Sequence, residues 1–293
     1  MLRNTRTLIL ALIAILFPIA WISARSSEPN PPPPGPKNIR IATYNIRAGL
    51  GGIRGITEDL KSLSADIIAI QEVERGRFGS KKIDHASTLA DALGMKYVYA
   101  PSFSLEGREH GIAVLSRFPI TETETLQLPQ PTGRWPRVAL KTRIETPAGP
   151  VRFVCVHLTR PWKVPFSHTR ERMDQLRAIF ASLEGDSLPP IMAGDFNSTP
   201  FSPERWIISR HLQDSWTPWR DGWALTFPLN SIGLPAGSVK IDAVYLARTW
   251  RCDRTWVAPL GSSDHCPVVA DVAPKATKHE DAQARDPARM HSS

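Results

Sequence analysis

From Asn38 onward the apolar positions follow two rhythms: short β-branched runs, and longer segments in which apolar residues return every third or fourth position. The first rhythm predicts strands at residues 39–46, 66–72, 111–116, 120–128, 137–145, 151–157, 190–194, 240–247 and 266–272. The second predicts helices at 57–63 (with Thr57 as cap), 84–93, 167–183 and 202–210. Within 167–183, Met173, Leu176, Ile179, Phe180 and Leu183 share one helical face. The four runs from 111 to 157 read as a meander, and Thr146-Pro-Ala-Gly-Pro150 joins its last two strands as a hairpin. Hairpins with interspersed helices predict an α+β fold, a two-layer β-sandwich flanked by helices, in one domain over residues 38–273. The 293 residues and 42% apolar content suffice for its core.

Two segments depart from this pattern. Arg3 and Arg6 precede an uncharged run, Thr7–Ala24, whose apolar heart Leu8–Ile22 fits either an uncleaved signal anchor or a signal peptide. The bulky Ile22 in Ile22-Ser23-Ala24 suits cleavage poorly, and Trp21 suits a membrane interface. Positive charge staying inside would translocate the rest, giving a membrane-anchored extracytoplasmic domain, or a secreted or periplasmic one if the segment is removed. Residues 25–37 then form a proline-rich spacer, rising about 3.1 Å per residue, that keeps the domain near the membrane surface. Residues 274–293 read as a disordered tail.

Charge narrows the partners. The chain holds 36 bases and 28 acids, but residues 1–37 carry four bases against Glu28, and 274–293 carry four against three acids. The middle keeps an excess of only four, too small to argue for nucleic acid. Cys155, Cys252 and Cys266 make no disulfide framework; Cys155 reads as a buried thiol, and a Cys252–Cys266 pair stays open. No protein partner can be inferred.

Two strand-end clusters carry chemistry. In Gly194-Asp195-Phe196-Asn197-Ser198-Thr199-Pro200, Asp195 and Asn197 lie two apart, so in extended chain both side chains leave one face. An Asx turn at a strand end reads equally well. In Ser262-Ser263-Asp264-His265-Cys266-Pro267, an acid and an imidazole precede an apolar strand, where His can exchange protons near neutral pH.

With Asn45 in Thr43-Tyr44-Asn45, Glu72 in Ala69-Ile70-Gln71-Glu72, His157 in Val156-His157-Leu158 and Asp242 in Lys240-Ile241-Asp242, these clusters fall in an order that resembles the endonuclease/exonuclease/phosphatase superfamily over residues 38–273. That group includes deoxyribonuclease I-like nucleases, abasic-site endonucleases, neutral sphingomyelinases and inositol polyphosphate 5-phosphatases. The resemblance implies a four-layer αββα, deoxyribonuclease I-like fold and a phosphoesterase dependent on Mg2+, with Mn2+ as substitute. It also implies that Glu72, Asn45 and Asp264 hold the metal, with Asn45 touching phosphate or orienting Glu72. Asp195 and Asn197 would activate water, His265 steered by Asp242 would bond a phosphoryl oxygen, and His157 would assist the leaving group. Arg137, Arg160 and Trp162, in basic aromatic stretches, are candidate substrate contacts. The expected substrate is a lipid headgroup or small phosphoester near the membrane; an extracytoplasmic endonuclease and an inactive tethered binding module are the alternatives.

Overall fold

A computed structural model describes residues 35, 38–78, 81–130, 133–161, 168–221, 224–229 and 238–275. The predicted anchor, most of the spacer, the tail beyond Lys275, and Trp162 lie outside the described residues. Among those described, no helix is long and apolar enough to cross a membrane.

Two sheets face each other. The first orders its strands β14 (Trp250–Val257), β15 (Val268–Pro274), β1 (Ile39–Asn45), β2 (Ile67–Phe78), β5 (Arg108–Ser116) and β4 (Lys96–Leu105), with β3 (Lys81–Asp84) paired to β2. The second orders β10 (Gln213–Asp214), β13 (Asp242–Leu246), β9 (Pro190–Asp195), β8 (Gly149–His157), β7 (Val138–Thr146) and β6 (Ile120–Gln127). A small ribbon pairs β11 (Phe227–Pro228) with β12 (Ser238–Val239). Helices α1 (Ile53–Leu63) and α2 (His85–Leu93) cover the first sheet, and α3 (Thr169–Ala181) and α4 (Pro203–His211) the second; α5 (Pro218–Asp221) is one short turn.

Strand β1 shows why the layers form. Every residue in it is buried. Ile39 and Ile41 join the core between the sheets, while Ala42 and Tyr44 join a second core under α1 and α2. Both faces are covered, so the run lacks the alternation of a half-solvated strand. Arg40, fully buried, is held by Asp271 at 2.8 and 3.0 Å, so its charge enters the core already paired. At Gly194 a Cβ would collide with the Val156 carbonyl, so the close approach of β9 to β8 requires glycine.

Several sequence expectations shift. The meander divides: of its four strands, β5 belongs to the first sheet and β6, β7 and β8 are neighbours in the second. Periodicity cannot assign a strand to one of two sheets. Thr57 lies inside α1, donating from its hydroxyl to the Ile53 carbonyl at 2.7 Å, and Gly52 precedes the helix without a side-chain cap. Strand β2 passes Glu72 and ends at Phe78, while Pro274 still belongs to β15. Strands β4 and β14 escaped the pattern because bulges interrupt their register and charged or proline residues break their alternation. The three cysteines are free thiols, with no Cys252–Cys266 bond.

Candidate active site

The functional side chains meet at one end of the sandwich, where β1, β8 and β9 finish and β13 begins. Asp195 is the junction. Its Oδ2 accepts from Asn45 Nδ2 at 3.2 Å and faces His157 Nε2 at 3.5 Å and His265 Nε2 at 3.9 Å. Its Oδ1 accepts the Asn197 backbone N–H at 2.8 Å.

Asn197 reaches the site by a turn rather than by strand alternation. Its φ is +49°, Phe196 between the pair is fully buried, and its amide donates to the Leu158 carbonyl at 3.0 Å. The Asx turn is therefore what the structure shows, and the expectation that both side chains leave one face of an extended chain is corrected. Glu72 also has a left-handed φ, +57°, at a bulge between Gln71 and Val73. Left-handed backbone costs an L-residue roughly 1–2 kcal/mol, and such strain gathers where a side chain must be re-aimed. Here it aims Glu72 Oε1 at Asn45 Nδ2, 3.2 Å away.

Asn45 thus spans both acids with its amino group, while its oxygen accepts the Arg47 backbone N–H at 3.0 Å. In this orientation its amino group faces both carboxylates and its oxygen is turned to the Arg47 N–H. Asp264 turns toward Arg47 Nε, 3.3 Å away. Ser263 ties the His265 loop to β1 by donating to the Asn45 carbonyl at 2.7 Å.

Burial sets the protonation states. Burial, reinforced by Asp242, pushes the Asp195 carboxyl up to about 7. For His265, burial alone would lower the pKa, but Asp242 at 3.0 Å, with Asp195 and Asp264, holds it up at about 10. His157 is driven well below the ordinary histidine range by burial and by neighbouring Arg137, His110 and His265. It is neutral. Arg137 Nη1 contacts His157 Nδ1 at 2.9 Å, and because a guanidinium only donates, Nδ1 must accept and the proton sits on Nε2, toward Asp195.

Asp195, Asp242 and His265 place three donor atoms within 4.8 Å of one another, all buried, a group able to hold a metal. Glu72, half-buried, adds a further hard oxygen nearby. The set suits a divalent cation. Arg160 is exposed, close enough for its charge to act on Arg137 and His157. His110, not among the predicted site residues, joins the site, where the charges of Glu72 and Arg137 act on it. The sequence placed it just ahead of the strand at 111–116, but β5 begins at Arg108, and the bulge that brings Glu72 beside it was not visible.

The profile of the Endonuclease/Exonuclease/phosphatase family matches residues 42–265, and the chain belongs to that family. It is 25% identical over 262 residues to the "Uncharacterized protein YbhP" of Escherichia coli K12, covering 80% of this chain and 96% of that one. Its fold is similar to an endonuclease/exonuclease/phosphatase from Beutenbergia cavernae, with TM-score 0.67 and 23% identity over 82% of this chain and 72% of the other. It is also similar to a mannosyl-6-phosphatase from Bacteroides thetaiotaomicron, with TM-score 0.61 and 18% identity over 80% and 99%. The protein is a phosphoesterase-like hydrolase of this family with the αββα fold.

Proposed function

We propose that this protein hydrolyses a lipid headgroup or another small phosphoester close to a membrane, using a divalent cation, Mg2+ or Mn2+. The observation that carries the reading is the convergence of Asn45, His157, Asn197 and His265 on one buried carboxyl, Asp195, with Glu72 held beside it by the same Asn45.

Glu72 would hold the cation, with Asp264 as a candidate second oxygen. When bound, the cation draws negative charge from the phosphoryl oxygens. Asp195 takes the proton of the attacking water, and a carboxyl titrating near 7 is matched to that task at neutral pH. Its bond from the Asn197 backbone N–H fixes its orientation. His265 keeps its proton against Asp242, and its Nε2, too far from Asp195 for a hydrogen bond, donates to a phosphoryl oxygen as charge develops there. His157 presents Nε2–H to the leaving oxygen, with Arg137 holding that tautomer.

The membrane part rests on sequence and reach. Strand β1 leads from the spacer to the site, so the spacer joins the end opposite the site, roughly 23 Å away at 3.3 Å per residue. If residues 25–37 adopt the extended form their proline content favours, they would span about 40 Å, enough for an anchored domain to turn its site to the bilayer. The small basic excess of the domain favours a compact phosphoester over a long polyanion.

The test is hydrolysis of bis(p-nitrophenyl) phosphate by purified protein with Mg2+ or Mn2+, followed by a panel of phospholipids, inositol phosphates, DNA and RNA at several salt concentrations. Full activity in excess EDTA overturns the cation role, and no turnover of any member favours the inactive binding module. Salt-sensitive DNA cleavage above all other substrates replaces the headgroup reading with the endonuclease one.

A further inference from the structure

The last layer of the core beneath the site is polar. Thr43 continues the inward face of Ile39 and Ile41 on β1, Gln71 continues that of Ile67 and Ala69 on β2, and Cys155 meets them from β8. All three are fully buried. The Gln71 carboxamide joins them: its oxygen accepts from the Thr43 hydroxyl at 3.2 Å, and its Nε2 donates to Cys155 Sγ at 3.6 Å. The thiol donates in turn to the Ile70 carbonyl at 3.9 Å, and burial pushes it up to about 12, so it stays neutral. A neutral sulfur is a weak acceptor, so a buried amide held in this way recovers little of its desolvation cost. An unbranched apolar side chain would avoid that cost.

The use of this layer follows from its place. Thr43 is two residues before Asn45, Gln71 is one before Glu72, and Cys155 is two before His157. The site needs those strands aligned across the gap between the sheets, because Asn45 bonds Glu72 on its own sheet and Asp195 on the facing one, at 3.2 Å each. Apolar packing is non-directional, so by itself it sets no sharp relative position for two facing sheets. Hydrogen bonds are directional, and the Gln71 carboxamide is fastened to both sheets. Through its backbone the same residue accepts the Ile46 N–H at 3.1 Å and opens the bulge that turns Glu72. We propose that Gln71 is a positioning residue, whose carboxamide pins β2 to β1 and β8 beneath the site and so holds Asn45 and Glu72 in register with Asp195. Its effect on turnover rests on the phosphoesterase reading; its effect on Asn45 does not.

Gln71→Met keeps the length of the side chain and removes both bonds. In the full-length protein, kept in detergent with Mg2+, kcat on bis(p-nitrophenyl) phosphate is expected to fall about 10- to 100-fold at unchanged KM, the scale of a misplacement of about 1 Å. The melting temperature is expected to stay level or rise, because an apolar group of the same shape ends the desolvation cost. A merely structural residue would lower both together. Thr43→Val removes one of the two bonds and is expected to lose less, and Thr43→Val combined with Gln71→Met no more than Gln71→Met alone, since the two act as one device. The side-chain amide proton resonances of Asn45, recorded without divalent cation, read its position independently of turnover and are expected to move in both single variants. An unchanged kcat in Gln71→Met, kcat and melting temperature falling together, or losses that multiply in the double variant overturns the proposal. Should Gln71→Met not fold, Thr43→Val decides: a lower kcat at the wild-type melting temperature upholds it, and a wild-type kcat overturns it. Asn45 resonances that move in the variants of a protein that cleaves no substrate uphold the positioning role and fail the phosphoesterase reading. Cleavage with kcat and Asn45 resonances unchanged in the variants does the reverse.

Discussion

The floor and the rim of the site treat negative charge differently. On the floor, Asp195, Asp242 and His265 are 1%, 0% and 6% exposed, and a proton on His265 lies between two carboxyls. On the rim, Glu72 is half-buried, and Asp264 pairs with Arg47, whose side chain is 49% exposed. A dry floor can hold its charges only by sharing protons, because bare carboxylates there are costly. A wet rim can keep an ionised oxygen and the waters that a small hard cation retains. In the proposed reading, proton transfer falls to the floor and cation binding to the rim.

The largest test is on the floor. Asp195→Asn keeps the shape of the side chain and removes the base, so kcat is expected to fall about 10³-fold with an unchanged melting temperature. A loss under tenfold would separate the floor from the chemistry. On the rim, Glu72→Gln is expected to raise the Mg2+ concentration for half-maximal activity by roughly 10- to 100-fold, whereas Asp242→Asn leaves that concentration near wild type and lowers kcat. Reversal of the two in a metal titration would move the cation to the Asp195–Asp242–His265 group. The pH profile sharpens the floor. Asp195 works ionised and is held near 7, so kcat/KM rises with pH through about 7; His265 works protonated and is held near 10, so it falls through about 10. The smallest effect belongs to Arg47→Ala, under about fivefold in kcat/KM, because an exposed ion pair contributes little.

Much of the site was legible as residue types at strand ends. Asp195, Asn197, Asp242, His265, His157 and Asn45 do converge, since the ends of β1, β8 and β9 meet the start of β13 at one edge of the sandwich. Their geometry was less legible. Asn197 arrives through a left-handed turn, Glu72 through a bulge in a strand that continues beyond it, and His110 through pairing with that same strand. In the basic aromatic stretch around Arg137, Trp135 stacks on Phe103 while Arg137 itself contacts His157.

The sequence by itself determined the chemical inventory and the alternating strands and helices, because burial periodicity and residue type are local properties. It also determined the apolar N-terminal run and the proline spacer, which are matters of composition. Only the tertiary structure decided which sheet each strand joins, which carboxyl is dry enough to share a proton, and which nitrogen of His157 carries its own. Those depend on what is packed against a side chain from distant parts of the chain, and neither spacing nor composition records that.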